Sequence, residues 1–146
     1  MATMSLHQRF ADRSVWRPWT IAWLGGSVLG IVNGTIRELV YKDSVGDIAA
    51  HYIATVMLIL LLGLYFSLLE RRWPIPTLRS ALKIGFTWTV MTTSFEFGFG
   101  HFVDGKPWSE LAMDYNIAAG RVWILVLAWI MVGPAVARRL HQGRLS

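Results

Sequence analysis

The stretch IAAHYIATVMLILLLGLYFSLL, residues 48–69, contains no aspartate, glutamate, lysine or arginine. A helix needs about 20 mostly apolar residues to cross the hydrocarbon core of a bilayer, and this stretch is long enough. Lipid offers no hydrogen-bond partner to backbone groups, so a single spanning segment must satisfy them within its own helix. The stretch therefore predicts a transmembrane α-helix.

Three further stretches have a similar apolar character. The predicted spans are residues 19–41, 48–69, 78–102 and 117–137, joined by short connections. The strands of a membrane barrel would instead alternate in polarity over segments of about 10 residues, and the sequence does not show them. We therefore predict a single all-α membrane domain over residues 1–146, a four-helix transmembrane bundle.

The composition favours the same class of protein. Hydrophobic residues make up 54% of the 146 residues and charged residues 16%, with a mean hydropathy of +0.44, whereas soluble domains are about a quarter charged. The chain has no cysteine, which excludes disulfides, thiolate metal sites and thiol catalysis. Its eight tryptophans suit the interfaces of a membrane, where the ring is half solvated.

The positive charges indicate an orientation. Four of the 14 lysines and arginines, Arg37, Lys42, Lys106 and Arg121, lie at one end of the predicted spans. Cytoplasmic loops carry the excess of positive charge, so the sequence predicts a multi-pass membrane protein with cytoplasmic N- and C-termini. The residues on the predicted cytoplasmic side are Arg9, Arg13, Arg17, Arg71, Arg72, Arg79, Lys83, Arg138, Arg139 and Arg144.

Local signals mark the ends of some spans. Ser44 and Asp47 have the spacing of a capping box that would open span two. Thr77 follows two prolines and is placed to cap span three. Before span four, apolar residues recur at helical spacing and predict a short interfacial helix or an extension of span four. These residues are Trp108, Leu111, Ala112 and Tyr115.

A carboxylate stands inside span three, in TTSFEFGFGHF, residues 92–102. Helical spacing puts Glu96 on one face with Thr89, Thr92, Thr93 and Gly100. Because this face is polar or small, we predict that it points into the bundle, roughly 9 Å below the outer boundary at about 1.5 Å per residue.

The other predicted spans carry polar groups at a similar depth, and ionisable groups within a span are functional candidates. Arg37 and Arg121 are the predicted cationic partners of Glu96 and Glu38. The sequence thus predicts an outward-facing site that binds or permeates an ion, a proton or a small polar ligand. Its candidate residues are Glu96, Arg37, Arg121, Asn33, Glu38, His51 and Asp114.

The same pattern fits an accessory or structural subunit of a membrane complex, in which the polar network serves only helix packing. In that interpretation the partner surface would consist of lipid-facing aromatic residues such as Trp88 and Trp123. The expected partners are the lipid bilayer and either further copies of the chain or another membrane subunit. The basic residues are explained by topology and anionic lipids, so we expect no nucleic acid.

Gly26, Gly30 and Gly34 form a stripe of small residues on span one. Such a stripe lets two helices approach closely, either within the chain or between copies of it. Arg37 lies on the same side of the helix, which favours packing within the chain.

Two histidines near the outer boundary, His51 and His101, are weak candidates for a metal site or for the axial ligands of a haem. A haem- or metal-binding redox protein is therefore a third alternative. The pattern favours no cofactor, and no serine has a visible catalytic base, so we assign no catalytic residue.

The stretches NGTIRE, residues 33–38, and FEFGFGHFVDGKPWSELAMDYNIAAGRVW, residues 95–123, resemble small four-helix proteins of bacterial membranes. The resemblance implies the four-helix fold and a location in a bacterial inner membrane. It carries no activity onto any residue.

Overall fold

The computed structural model describes residues 5–103, 105–113 and 123–145, which are mainly helical and contain no strand. A single π-helical turn, Arg37–Tyr41, continues the first helix. The α-helices are α1 Leu6–Ile36, α2 Lys42–Val45, α3 Asp47–Arg72, α4 Leu78–Phe102, α5 Trp108–Met113 and α6 Trp123–Leu145. The predicted bounds of span three match α4, and the short helix predicted before span four is present as α5.

Three segments within the described residues are long and apolar enough to cross a membrane: Arg13–Val45, Asp47–Arg72 and Ile124–Gly143. Helix α4 has 25 residues and is not among them, because polar residues interrupt its apolar character. Within the described residues the fold is therefore helical, and three of its segments have the length and apolar character of membrane-spanning helices.

Large apolar side chains on the outside of the molecule agree with a lipid environment. Leu24 in α1, Leu60 in α3 and Phe86 in α4 are 60%, 68% and 58% exposed. Soluble proteins seldom expose large contiguous apolar patches, whereas lipid tails solvate such side chains well. Because Phe86 belongs to α4, this helix also presents an apolar side chain outward.

The four long helices pack in a ring. Helix α1 contacts α3 and α4, and α6 contacts the same two helices on the other side. Residues paired across α1 and α3 run in opposite directions: Tyr65 binds Ala22, and Asn33 binds Ala54. The polypeptide therefore runs up and down, with both described ends of the chain near the connection between α3 and α4. We call this end the terminal end and the other the distal end.

An aromatic cluster holds the terminal half together. Trp19, Phe66 and Trp88 come from α1, α3 and α4 and are 0%, 0% and 2% exposed. The ring of Phe66 lies 5.3 Å from that of Trp88, edge to face, an arrangement that aromatic quadrupoles favour. The indole N–H of Trp88 donates to the backbone oxygen of Trp19 at 2.9 Å. Three helices are thus joined at one level.

The prediction that Trp88 faces lipid is wrong, since its side chain lies in this cluster. The prediction placed it outside because it lies away from the polar face of α4. In the terminal half, however, the buried face of α4 is apolar and includes Ala81, Ile84 and Gly85. A polar face in one half of a helix does not identify the buried face in the other half.

The connection between α3 and α4 is fixed by charged side chains. Glu70 is 1% exposed, and its two carboxylate oxygens accept from the backbone N–H of Ile75 at 3.2 and 3.1 Å. Arg138 of α6 donates to the backbone oxygens of Ile75 and Pro76 at 3.0 and 3.1 Å. Backbone groups that a loop would otherwise leave unpaired are therefore satisfied at the terminal end.

One predicted cap forms and the other does not. The Thr77 hydroxyl oxygen accepts from the backbone N–H of Ser80 at 3.1 Å, which confirms Thr77 as the cap of α4. The capping box of Ser44 and Asp47 is wrong, because Gly46 precedes α3 with φ of 90° and no side chain caps the helix. Glycine adopts this left-handed φ readily, and it lets the chain turn between α2 and α3.

Helices α4 and α6 approach most closely at Gly85. A Cβ atom built there would collide with the backbone oxygen of Met131. Backbone cannot move aside as a side chain can, so only glycine fits at this crossing.

We expect Gly85→Ala to lower the free energy of unfolding by about 3 kcal/mol, the upper range for overpacking a core. Gly98→Ala is the matched control, because it lies in the same helix and no described atom lies within 4 Å of its Cβ position. Alanine favours helix over glycine, so the control should be neutral or stabilising. Thermal unfolding in detergent measures both variants, and equal stabilities would contradict the crossing.

Candidate functional site

A cavity of about 240 Å³ lies between the helices, on the distal side of the aromatic cluster. We call it the chamber. Most of its lining side chains are apolar, and its polar groups come from α1 and α4. The chamber is lined by Trp23, Gly26, Ser27, Gly30, Ile31, Leu58, Leu62, Trp88, Thr92, Phe95, Glu96, Val126 and Ile130.

The floor of the chamber is a bridge between α1 and α4. The indole N–H of Trp23 donates to the hydroxyl oxygen of Thr92 at 3.0 Å, and the Trp23 ring packs edge to face on Phe95 with centroids 6.1 Å apart. Gly26 lies against the Trp88 ring, and a Cβ atom built on Gly26 would lie 2.9 Å from the nearest atom of that ring. At Gly30, one turn further along α1, no described atom lies within 4 Å of the Cβ position. The chamber therefore begins at Gly26, where the close packing of α1 on the Trp88 ring of α4 ends.

Glu96 lines the chamber and is half-buried. The residues predicted to share its face, Thr89, Thr92, Thr93 and Gly100, are all half-buried or buried. The intervening side chains of α4 at 90, 95 and 99 are exposed. Glu96 thus brings a carboxylate to an otherwise largely apolar cavity.

A second, smaller cavity of about 80 Å³ lies next to the chamber, between α1 and α3. We call it the polar cleft. It shares Gly30 and Leu58 with the lining of the chamber, so the two spaces adjoin at these residues. The polar cleft is lined by Gly30, Asn33, Gly34, Arg37, His51, Ala54, Thr55 and Leu58.

Asn33 is the most buried polar residue of the cleft, at 4% exposure. Its amide nitrogen donates to the backbone oxygen of Ala54 at 2.9 Å. Its Oδ1 atom is buried and has no hydrogen-bond partner among the described residues. A buried polar atom left unpaired costs about 1–3 kcal/mol of folding free energy. A hydrogen-bond donor placed next to Oδ1 would therefore stabilise the protein.

The charged residues at the distal end pair mainly with each other. Arg37 donates from Nε and Nη2 to one oxygen of Glu38, at 3.2 and 3.0 Å. Lys42 binds the other oxygen at 2.8 Å and approaches Asp47 to 3.7 Å. These side chains are between 25% and 60% exposed, and exposed ion pairs contribute about 0–1 kcal/mol. Arg37 thus pairs with Glu38. Arg37 lines the polar cleft, whereas Glu96 lines the chamber.

The histidines hold local structure. His51 donates from Nδ1 to the backbone oxygen of Asp47 at 2.9 Å, and the Thr55 hydroxyl donates to the backbone oxygen of His51 at 2.7 Å. His101 stacks on Trp108 with ring centroids 3.8 Å apart. Within the described ranges, no three histidine, aspartate or glutamate side chains gather as a metal site would require.

Two residues of the predicted site, Asp114 and Arg121, lie outside the described residues, as does the beginning of predicted span four. Trp123 begins α6, and its side chain is likewise outside the description. The pairing predicted between Glu96 and Arg121 therefore stays a prediction.

The glycine stripe of α1 has two environments. Gly26 is packed against Trp88, whereas Gly30 and Gly34 have no described atom within 4 Å of their Cβ positions. Gly34 lines the polar cleft, and Gly30 lines both cavities. The packing predicted for the stripe within the chain is present at Gly26, while the other two glycines leave space.

Sequence reasoning missed the aromatic part of the site. Trp19 and Trp23 lie on the same face of α1 as the glycines, since they precede Gly26 by seven and three residues. Extending the helical period backward from the stripe would have found both. The sequence also did not predict the hydrogen bonds of Glu70 to the loop that follows it. The two prolines of that loop were the available signal, because they mark an irregular backbone whose N–H groups need partners.

No protein-family model matches the chain, and no curated protein or solved structure matches it either. The resemblance to small bacterial membrane proteins thus gains no support from these comparisons. The function has to be inferred from the cavities and their side chains.

The bridge between Trp23 and Thr92 should show a measurable coupling. Trp23→Phe and Thr92→Val each remove one partner of the bond. We expect the loss in free energy of unfolding of the double variant to be smaller than the sum of the two single losses by about 1 kcal/mol. Unfolding of all four proteins in detergent gives the coupling energy.

Trp129→Phe provides the control for this cycle. Its buried indole N–H has no partner among the described residues, so its combination with Thr92→Val should be additive. If the effects of Trp23→Phe and Thr92→Val on stability also add, the hydrogen bond between these two side chains is contradicted.

Proposed function

We propose that the chain is a four-span protein of a bacterial inner membrane that binds a small, mainly apolar molecule in the chamber between its helices. In this proposal α1, α3, α4 and α6 are the spans, and both termini are cytoplasmic. The single observation that carries the proposal is the chamber itself. It replaces the expectation of a purely polar ligand, because the chamber lining is largely apolar.

The size of the chamber fits a small organic ligand. An apolar cavity of about 150 Å³ engineered in another protein stays dry and binds benzene, and the chamber has about 240 Å³. Ser27, Thr92 and Glu96 supply polar groups on one side. Ligand pockets commonly combine a mainly apolar wall with a few polar groups that orient the ligand.

The packing favours binding over permeation through a single chain. Trp19, Phe66 and Trp88 fill the space between three helices on the terminal side of the chamber. Glu70 and Arg138 then fix the connection beyond them. A continuous polar path along the axis would have to pass through this packed aromatic layer.

Charge distribution supports the orientation in the proposal. Arg71, Arg72, Arg79 and Lys83 are exposed at the terminal end, close to the described ends of the chain. Excess lysine and arginine mark the cytoplasmic side of a membrane protein. The chamber and the polar cleft would then lie in the outer half of the bilayer.

Cysteine labelling tests the orientation, since the chain has no native cysteine. Ser44→Cys and Gln142→Cys place single thiols at exposed, uncharged positions of the two ends. A membrane-impermeant maleimide added to intact cells should label Ser44→Cys and should reach Gln142→Cys only after permeabilisation. The reverse pattern would overturn the orientation, and labelling of both in intact cells would overturn the even number of spans.

Bromobenzene tests the chamber, because a heavy atom bound there would quench Trp23 and Trp88. We expect a saturable component of quenching in the unaltered protein. Gly30→Leu should abolish it, since the new side chain enters the chamber. Gly98→Leu should retain it, because Gly98 also has free space at its Cβ position but does not line the chamber.

Quenching that only rises linearly with bromobenzene reports partition into detergent and would contradict the proposal. Equal saturable quenching of the Gly30→Leu and Gly98→Leu variants by bromobenzene would also contradict the proposal. Thermal unfolding of both variants establishes that they are folded.

A further inference from the structure

We propose that the polar cleft receives a hydroxyl group of the molecule whose apolar part occupies the chamber. The ligand would then be a neutral alcohol with an apolar body. This inference rests on the proposed function and specifies the chemical class of ligand for the same site.

The first support is the connection between the two cavities. Gly30 and Leu58 belong to both linings, and no described atom lies within 4 Å of the Cβ position of Gly30. A side chain at this position would stand between the two spaces. Glycine leaves room for one molecule to extend from the chamber into the cleft.

The second support is the unpaired oxygen of Asn33. This side chain is 4% exposed and lines the cleft, and its Oδ1 has no partner among the described residues. An amide oxygen can only accept hydrogen bonds. The missing partner must therefore bring a hydrogen-bond donor into the cleft.

Three side chains that line the cleft direct hydrogen bonds to acceptors other than Asn33. Arg37 donates from Nε and Nη2 to Glu38, and His51 donates from Nδ1 to the backbone of Asp47. The Thr55 hydroxyl donates to the backbone oxygen of His51. None of these bonds reaches the Asn33 oxygen, which has no partner among the described residues. A ligand that enters the cleft can supply the donor.

The chemistry of the cleft selects a hydroxyl group among donors. An ammonium group would be repelled by the guanidinium of Arg37, which lines the same cleft. A carboxylate would direct a lone pair at the Asn33 oxygen. A hydroxyl group donates to Oδ1 and can accept a hydrogen bond in turn, and it fits a space of about 80 Å³.

The experiment uses bromophenyl alkanols of increasing chain length, each compared with the bromophenyl alkane of equal length. Quenching of tryptophan fluorescence in the detergent-solubilised full chain gives the dissociation constants. At the chain length that spans the two cavities, we expect the alkanol to bind about tenfold more tightly than the alkane, as one hydrogen bond to a buried acceptor allows. Matched carboxylates and amines should bind more weakly than the alkanol.

Two variants place the effect in the cleft. Asn33→Leu should make the alkanol and the alkane bind equally while the alkane keeps its affinity. Gly34→Leu fills the cleft and leaves Asn33 in place, so it should remove the same preference even if Asn33→Leu does not fold. Thr35→Val is the control, because Thr35 is exposed on α1 and its hydroxyl bonds within the helix to Ile31.

The outcomes separate this inference from the proposed function. Equal binding of alkanol and alkane to the unaltered protein would mean that water alone satisfies Asn33. That result would refute the inference that the ligand is an alcohol, but the proposal that the chamber binds an apolar molecule would stand. A preference for the carboxylate or the amine would also overturn it. Absence of saturable quenching by every probe would instead remove the proposed function.

Discussion

The hydrogen bond from the Trp88 indole to the backbone oxygen of Trp19 organises the rest of the structure. It joins two helices that run in the same direction, and Phe66 packs against both rings from a third helix. In lipid there is little hydrophobic gain from helix association, so close packing and hydrogen bonds hold membrane helices together. This bond combines both contributions at a buried site. Because α1, α3 and α4 are held together at this level, the fold tolerates cavities between the same helices in the distal half.

The terminal end is reinforced by charge where the aromatic layer stops. A carboxylate as buried as Glu70 is costly unless its oxygens are hydrogen-bonded, and here both accept from the Ile75 N–H. Arg138 binds the oxygen of the same residue from α6. One residue of the loop is thus held by two helices, since Ile75 donates to Glu70 of α3 and accepts from Arg138 of α6. The distal end shows the contrasting case, since its ion pairs are partly exposed and the Asn33 Oδ1 has no partner within the described ranges.

Helix positions followed from the sequence because they depend on local patterns. The apolar lengths and the Thr77 cap predict α4 at its observed bounds. The glycine stripe lies on the side of α1 that lines the cavities. Trp88 could not be placed in the same way, because its burial depends on Trp19 and Phe66, which are distant in sequence. The Glu70 interactions likewise require α6 to be beside the loop. Periodicity identifies a face of a helix, whereas a cavity depends on how far apart two such faces lie.

The three glycines of α1 show how that distance changes the meaning of a motif. Gly26 lies at the level of Trp88, where a missing side chain lets the ring fit against the helix. Gly30 and Gly34 lie beyond the bridge from Trp23, where no described group fills the space that they leave. The same residue type therefore serves close packing near the aromatic cluster and cavity formation away from it. A small-residue stripe on a membrane helix indicates space, and the nearest bulky side chain on the facing helix decides whether that space is filled.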